Sequence, residues 1–288
     1  MTQDLRSLGI PSPRLDAELL IGHALRLSRV QLYMDMQRPL TREELAEVRS
    51  LLVRRRRREP VAYLRGTKEF YLHEFEVTRD VLIPRPETEL LVDRALEVLS
   101  ALSLSVGSPS GSPVGARALD LCTGSGAVAI TLALQRPLLT VDATDLSDAA
   151  LAVAARNVER HRVSERVQLH QGDLFSALKE RTRYALIVAN PPYVAASEWD
   201  SLAPEITAHE PRMALIAGDD GLSVLRRIAA DAAEWLVPSG TLLCELGRGQ
   251  APIVAEWLRA DTRFTGVAVH KDLAGIERVV EARAIPAQ

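Results

Sequence analysis

Ala118-Leu119-Asp120-Leu121-Cys122-Thr123-Gly124-Ser125-Gly126 is the stretch on which the fold turns. A short apolar run of strand character gives way to small residues and two glycines, and a helical stretch carrying Val128, Ile130, Leu132 and Leu134 follows. Glycines at such a junction permit a tight turn and let a ligand approach the backbone at a helix N-terminus. The three-glycine dinucleotide pattern is absent, because Val128 stands two positions beyond Gly126. The turn alone leaves both a ligand loop and a bare connection open.

Outward from this turn the rhythm is strand, helix, strand, helix. Apolar runs at 138–143, 167–170, 185–188 and 241–246 alternate with helical stretches such as Leu222, Leu225, Ile228, Ala229, Ala232 and Leu236. That alternation predicts an α/β fold with a doubly wound sheet. Two further strands, 267–270 and 276–284, are separated by only a few residues, which predicts a hairpin-like pair unlike the helix-joined last strands of a dinucleotide-binding domain. Residues 1–65 read as a helical domain. In it Thr41 and Glu44 form a capping box for a helix running toward Glu59-Pro60, and five consecutive arginines, 54–58, close that helix. Two readings of the arginines stay open: a solvated cationic helix end, or a surface for an anionic partner. Alternating Phe70, Leu72, Phe75 and Val77 predict a hairpin in a linker over 66–84, stopped by Pro84-Arg85-Pro86. The α/β domain then spans 85–288, with a Ser-, Gly- and Pro-rich loop over 100–115.

The composition is that of a folded protein: 288 residues, 47% hydrophobic, 25% charged, with a net charge of −3 that builds in no general attraction for nucleic acid or anionic membrane. Cys122 and Cys244 stand alone in apolar runs, without disulfide or metal spacing, which predicts a reducing, cytoplasmic setting and no metal site. No export signal or membrane-spanning run is expected.

Candidate chemistry gathers where the strands end. A ribose diol is best held by a carboxylate at the end of the second strand; Asp145, just before the helix-capping Ser147, is preferred to Asp142, which strand alternation puts on the opposite face. Gly172-Asp173-Leu174 closes the third strand, where Asp173 either accepts from an adenine amino group or merely caps a loop. Asn190-Pro191-Pro192-Tyr193 follows the fourth strand, at the edge of an open α/β sheet where ligands bind. Its two prolines fix the backbone and remove two donors, leaving as acceptors the Asn190 side-chain oxygen and the Pro191 carbonyl. Such a corner suits a planar NH2 group, with Tyr193 walling its π system. The long connection over 194–218 is expected to form part of the substrate wall.

These residues resemble the amino-methyltransferases that use S-adenosylmethionine on planar nitrogens. Further stretches narrow the likeness: Glu59-Pro60-Val61-Ala62-Tyr63-Leu64-Arg65-Gly66, Glu69-Phe70, Ile83-Pro84-Arg85-Pro86-Glu87-Thr88-Glu89, Glu210-Pro211-Arg212, Gly218-Asp219-Asp220-Gly221 and Asp272-Leu273-Ala274-Gly275. Together they resemble the protein-(glutamine-N5) methyltransferases of class 1 peptide chain release factors, the PrmC/HemK family, over nearly the whole chain. The resemblance implies a seven-stranded Rossmann-like methyltransferase sheet behind a helical N-terminal domain that recognises the release factor. It also implies a cofactor site at Asp120, Cys122, Thr123, Gly124, Ser125, Gly126, Asp145, Leu146, Asp173, Leu174 and Asn190. Asn190, Pro191 and Tyr193 would carry the reaction, and Asn190, Pro191, Pro192, Tyr193, Arg85 and Glu87 would bind the substrate. For Arg85, Glu87 and Glu210 a purely structural ion-pair role stands equally open. Cys122 departs from a usual glycine, and Leu174 stands where some members carry an aromatic. The competing enzyme reading is an adenine-N6 nucleic-acid methyltransferase, which uses the same corner on a flipped base but normally shows a basic surface; a non-catalytic cofactor-binding adaptor is the reading from another class.

Overall fold

The computed structural model describes residues 1–35, 37–106, 115–178 and 182–286. Five helices, α1 (Thr2–Ser7), α2 (Pro13–Leu25), α3 (Arg29–Met34), α4 (Arg42–Arg56) and α5 (Val61–Arg65), form the N-terminal region. The predicted capping box starts α4: the Glu44 amide donates to Thr41 Oγ1 at 3.2 Å and the Thr41 amide to Glu44 Oε2 at 2.9 Å. Arg56 and Arg57 are exposed at the helix end, as the solvated reading expects, whereas Arg55 departs from it. Arg55 is buried and bridges Asp16 at 2.8 Å and Glu205 at 3.1 Å, Arg58 joins the same Glu205 at 3.2 Å, and Arg54 pairs with Glu59. Sequence spacing could not show the pairs of Arg55 and Arg58, because Asp16 and Glu205 lie far away in the chain.

The hairpin follows as β1 (Thr67–Phe70) and β2 (His73–Glu76). Its two-residue turn is Tyr71-Leu72, both at positive φ, the geometry that matches strand twist although neither residue is glycine. The strain is held by the Tyr71 amide donating to Glu89 and its hydroxyl to Asp93. Phe70 and Phe75 pack edge to face into the main core.

Helix α6 (Glu89–Val106) runs into the stretch expected to be a loop from Ser100 onward: the apolar spacing carries the helix to Val106, and residues 107–114 lie outside the described ones. Then come β3 (Arg117–Leu121), α7 (Ala127–Gln135), β4 (Thr140–Asp145), α8 (Asp148–Arg160), β5 (Val167–Gln171), β6 (Tyr184–Ala189), α9 (Pro204–His209), α10 (Ser223–Trp235), β7 (Leu236–Glu245), α11 (Ala251–Ala260), β8 (Phe264–Lys271) and β9 (Glu277–Ala284). The seven strands of the main sheet order as β5-β4-β3-β6-β7-β9-β8, with β3 to β7 parallel and β9 antiparallel to both neighbours. The C-terminal pair is the hairpin expected from its short connection. One apolar cluster covers the α6 and α7 face, a second the α10 and α11 face.

The chain order reverses between β3 and β6. There Leu121 pairs with Ala189 on one side and Thr144 on the other, so the glycine turn and the Asn190 corner leave the sheet side by side.

Candidate active site

A cavity of about 340 Å³ opens at this reversal point. Of the sequence candidates, Asp120, Cys122, Thr123, Gly124, Ser125, Asp145, Leu146, Asp173, Leu174, Asn190 and Pro192 line it; Gly126, Pro191, Tyr193, Arg85 and Glu87 do not.

The glycine turn is built from within. Asp120, buried at the end of β3, accepts from Thr123 Oγ1 at 2.6 Å and from the Ala129 amide at 3.2 Å, joining turn to α7. Burial pushes its carboxyl up to about 7. Asp145 stands at the end of β4, where Oδ2 accepts from the Gly124 amide at 2.8 Å and Oδ1 from the Ser147 amide at 2.9 Å. Burial raises it too, while those backbone donors hold it down. Asp142, the rejected alternative, faces away and is consumed by Arg117, His170 and Tyr184. Cys122 adopts φ 60 and Leu174 φ 52, left-handed values that account for glycine being usual at the former. The Asp173 carboxylate is bridged to Arg227 at 2.7 Å through Oδ2, which leaves Oδ1 as an acceptor. Buried Asn157 on α8 ties the turn to the hairpin, donating to the Ser125 and Glu76 carbonyls and accepting from the Glu76 amide.

The residues fit S-adenosylmethionine. A Cβ at Gly124 would meet nothing within 4 Å, so the turn backbone borders open space; carboxylates stand at the ends of β4 and β5 for the diol and the amino group, and Leu146, Leu174 and Cys122 offer apolar walls for a purine.

The second corner rests on residues from distant parts of the chain. Asn190 Nδ2 donates to Thr88 Oγ1 at 3.1 Å, which leaves its Oδ1 as the uncommitted acceptor. The Tyr193 carbonyl accepts from Gln250 Nε2 at 2.8 Å, while its hydroxyl points to Glu245 at 3.4 Å. Gly221, at φ +72, passes so close that a Cβ there would lie 2.5 Å from the Tyr193 carbonyl oxygen. Burial pushes Glu245, at the end of β7, up to about 7, with the Thr88 and Tyr193 hydroxyls and Arg278 pulling it down. Thr88, Gly221, Glu245 and Gln250 escaped sequence reasoning as members of this corner. Thr88 and Gly221 lay within quoted motifs, but no spacing joins positions so far apart.

The connection over 194–218 supplies Pro211, Met213, Ala214 and Ile216 to the cavity. Glu205 fastens it to Arg55 and Arg58, His209 to the Arg57 carbonyl, and buried Glu210 to the Ile83 amide and Arg85. Arg85 is thus ion-paired with Glu210, with its side chain still partly exposed.

Residues 1–66 match the sequence family described as the PrmC N-terminal domain, and residues 100–250 the methyltransferase small domain. A release factor glutamine methyltransferase from Geobacter sulfurreducens is 42% identical over 279 residues, covering 97% of this chain and 92% of that relative. The chain belongs to the release factor glutamine methyltransferase family. Its relative of the same name from Bordetella pertussis is 43% identical, with 93% of each chain covered. A methyltransferase structure from Pyrococcus furiosus, 17% identical with a TM-score of 0.53 and covering 76% of this chain and 92% of that one, shares the fold. The seven-stranded Rossmann-like sheet and the helical N-terminal region are those expected of this family. Among the described residues no helix is long and apolar enough to cross a membrane.

Proposed function

We propose that this chain transfers a methyl group from S-adenosylmethionine to the side-chain amide nitrogen of the glutamine in the Gly-Gly-Gln tripeptide of class 1 release factors, in the cytoplasm. The observation that carries the reading is the free Asn190 Oδ1 at the mouth of β6, beside the glycine turn and followed by two prolines without N–H groups.

A primary amide nitrogen is a weak nucleophile because its lone pair is delocalised into the carbonyl. Asn190 Oδ1 and the Pro191 carbonyl each accept one of its two protons, which orients the amide and stabilises the positive charge that builds on nitrogen during in-line attack. Tyr193 and Pro192 border the corner. S-adenosylmethionine, when bound, supplies an electrophilic methyl on a sulfonium. Asp145 holds its ribose diol; Asp120, Thr123, Gly124, Ser125 and Gly126 shape the turn beneath it; Leu146, Cys122 and Leu174 flank its purine, with Asp173 at the amino group. No residue needs to act as a strong base, since a nitrogen-protonated amide gives up its proton readily to water. Holding both reactants in attack geometry contributes most, up to about 7–11 kcal/mol in the best intramolecular systems.

Residues 1–65 serve as the release-factor recognition domain, 66–84 as the linker and 85–288 as the catalytic domain. A nucleic-acid substrate is disfavoured: the chain is net −3, and four of the five consecutive arginines are in ion pairs within the molecule. Incubation with radiolabelled S-adenosylmethionine and purified release factor, DNA or RNA tests the reading. Label is expected in release factor alone and lost when its tripeptide glutamine is replaced; label in nucleic acid would overturn it.

A further inference from the structure

We propose that Glu205, clasped by Arg55 and Arg58, is a positioning residue through which the N-terminal helical region sets the place of the substrate wall over 211–216. The inference rests on the reading that residues 1–65 recognise the release factor and that this wall borders its glutamine.

The connection over 194–218 leaves the sheet after the Asn190 corner and comes back as the cavity wall of Pro211, Met213, Ala214 and Ile216. Its two ends meet: Val194 and Ile216 form an isolated bridge, and the Val194 amide donates to the Leu215 carbonyl at 2.8 Å. Between those ends it buries no apolar side chain fully. Among the described residues 195–214, Glu210 alone is buried, and it is a carboxylate. Burial of apolar surface is what fixes most elements of a fold, so a long excursion without it has to be held in another way.

Polar contacts hold it. Glu205 Oε1 accepts from Arg55 Nη2 at 3.1 Å and from Arg58 Nη1 at 3.2 Å, and His209 Nε2 lies 2.9 Å from the Arg57 carbonyl. One step on, Glu210 accepts from the Ile83 amide at 3.1 Å and pairs with Arg85. These partners all fall within residues 55–85, in and after α4, and none of them is on the main sheet. The wall beside the reaction is therefore located from the N-terminal side, while the strands carry Asn190.

Arg55 gives the clasp its direction. The side chain is buried, and it also donates through Nε to Asp16 on α2 at 2.8 Å and through Nη1 to the Glu59 carbonyl at 3.2 Å. One guanidinium thus joins α2, α4 and α9, and its planar fork fixes angle as well as distance. Buried ion pairs add little stability over apolar residues of the same volume, so what this one contributes is geometry. Glu205 itself does not line the cavity and acts only through the wall that follows it.

Glu205→Ala and Glu205→Gln are compared with wild type by hydrogen exchange read by mass spectrometry, by equilibrium binding of S-adenosylmethionine and by steady-state kinetics on release factor. Asp16 still pairs Arg55 in both variants, so neither strands a buried cation. In Glu205→Ala, amide exchange over 196–216 should rise about fivefold or more and stay at the wild-type rate in the main sheet. Turnover should fall about tenfold, because a displaced wall spoils the attack geometry, with cofactor affinity and the KM for release factor within about threefold of wild type. Glu205→Gln keeps an acceptor oxygen and should recover most of both effects. Wild-type exchange over 196–216 in Glu205→Ala, a lower melting temperature as its sole change, or a Glu205→Gln as slow as Glu205→Ala would each overturn the clasp. Should wild type label no release factor, the substrate reading falls, and the exchange measurement, which needs no substrate, then decides for or against the clasp.

Discussion

The two corners that meet between β3 and β6 are held in different ways. The cofactor corner is local: Asp120, Thr123 and Ala129 lie within ten positions of one another, and Asp145 comes from the next strand. The amide corner is remote: its four residues lean on Thr88, Gly221, Glu245 and Gln250, drawn from three separate segments. A local corner tolerates strain in its own backbone, as at Cys122, because neighbours along the chain enforce it. A remote corner depends on the whole catalytic domain being folded, which ties the placement of the reactive amide to global packing.

The comparison breaks first at Asn190. Asn190→Ala should lower turnover about 100-fold or more while equilibrium binding of S-adenosylmethionine changes far less, since the lost acceptor acts on developing charge. Equal losses in both would merge the two corners into one and remove the amide role.

A pair of glycine substitutions sharpens the contrast. Gly221→Ala introduces a Cβ 2.5 Å from the Tyr193 carbonyl at a left-handed φ; it should destabilise by about 2–3 kcal/mol and slow methyl transfer, with cofactor affinity little changed in the folded fraction. Gly124→Ala is also left-handed but meets no protein atom, so it should cost about 1–2 kcal/mol and act mainly by weakening cofactor binding, where the new methyl occupies open space. Thermal melts and calorimetric titrations of both variants check this, and similar profiles for the two would defeat the distinction.

Each corner also carries one buried carboxyl pushed up to about 7, Asp120 in the first and Glu245 in the second. A raised pKa means that the folded state holds the proton more tightly than the unfolded one. The stabilisation is therefore full below about pH 4 and is lost as pH rises through about 7. Melting temperature should fall between pH 5 and pH 8, and Glu245→Gln should make that fall shallower without abolishing it, because Asp120 remains. The carboxylates Glu18 and Glu59, both held at about 2, act below pH 4.5 and leave this window untouched. A slope unchanged in Glu245→Gln would mean that its carboxyl ionises in the fold as it does in the unfolded chain.

How much the sequence disclosed follows the same division. The alternation of strands and helices, the glycine turn, the choice of Asp145 over Asp142 and the Asn190 tetrapeptide were legible because each is written in contiguous residues. The partners of Asn190 and Tyr193 were not, since Thr88 precedes Asn190 by 102 positions and no periodicity spans that gap. Arg55 and Arg58 were hidden for a related reason: a charge run reads as solvated throughout when its acids, Asp16 and Glu205, arrive from α2 and α9. Loop propensity misled over 100–106, where α6 continues to Val106 through serines of modest helix preference.

The smallest effect belongs to Cys122, and it tests whether local strain is the cofactor corner's own device. The side chain sits at φ 60, a left-handed value that costs a non-glycine residue about 1–2 kcal/mol. Cys122→Gly relieves that strain but adds backbone freedom to the unfolded chain, roughly 0.5–1 kcal/mol in the opposite direction. The difference predicts a net stabilisation of less than about 1 kcal/mol, read as a small rise in denaturation midpoint at constant slope. Cofactor affinity should fall slightly at the same time, because the thiol is part of the apolar wall beside the purine. A clear loss of stability in Cys122→Gly would show instead that the packing of its sulfur outweighs the strain of its backbone, and the local corner would then rest on side-chain contacts, as the remote one does.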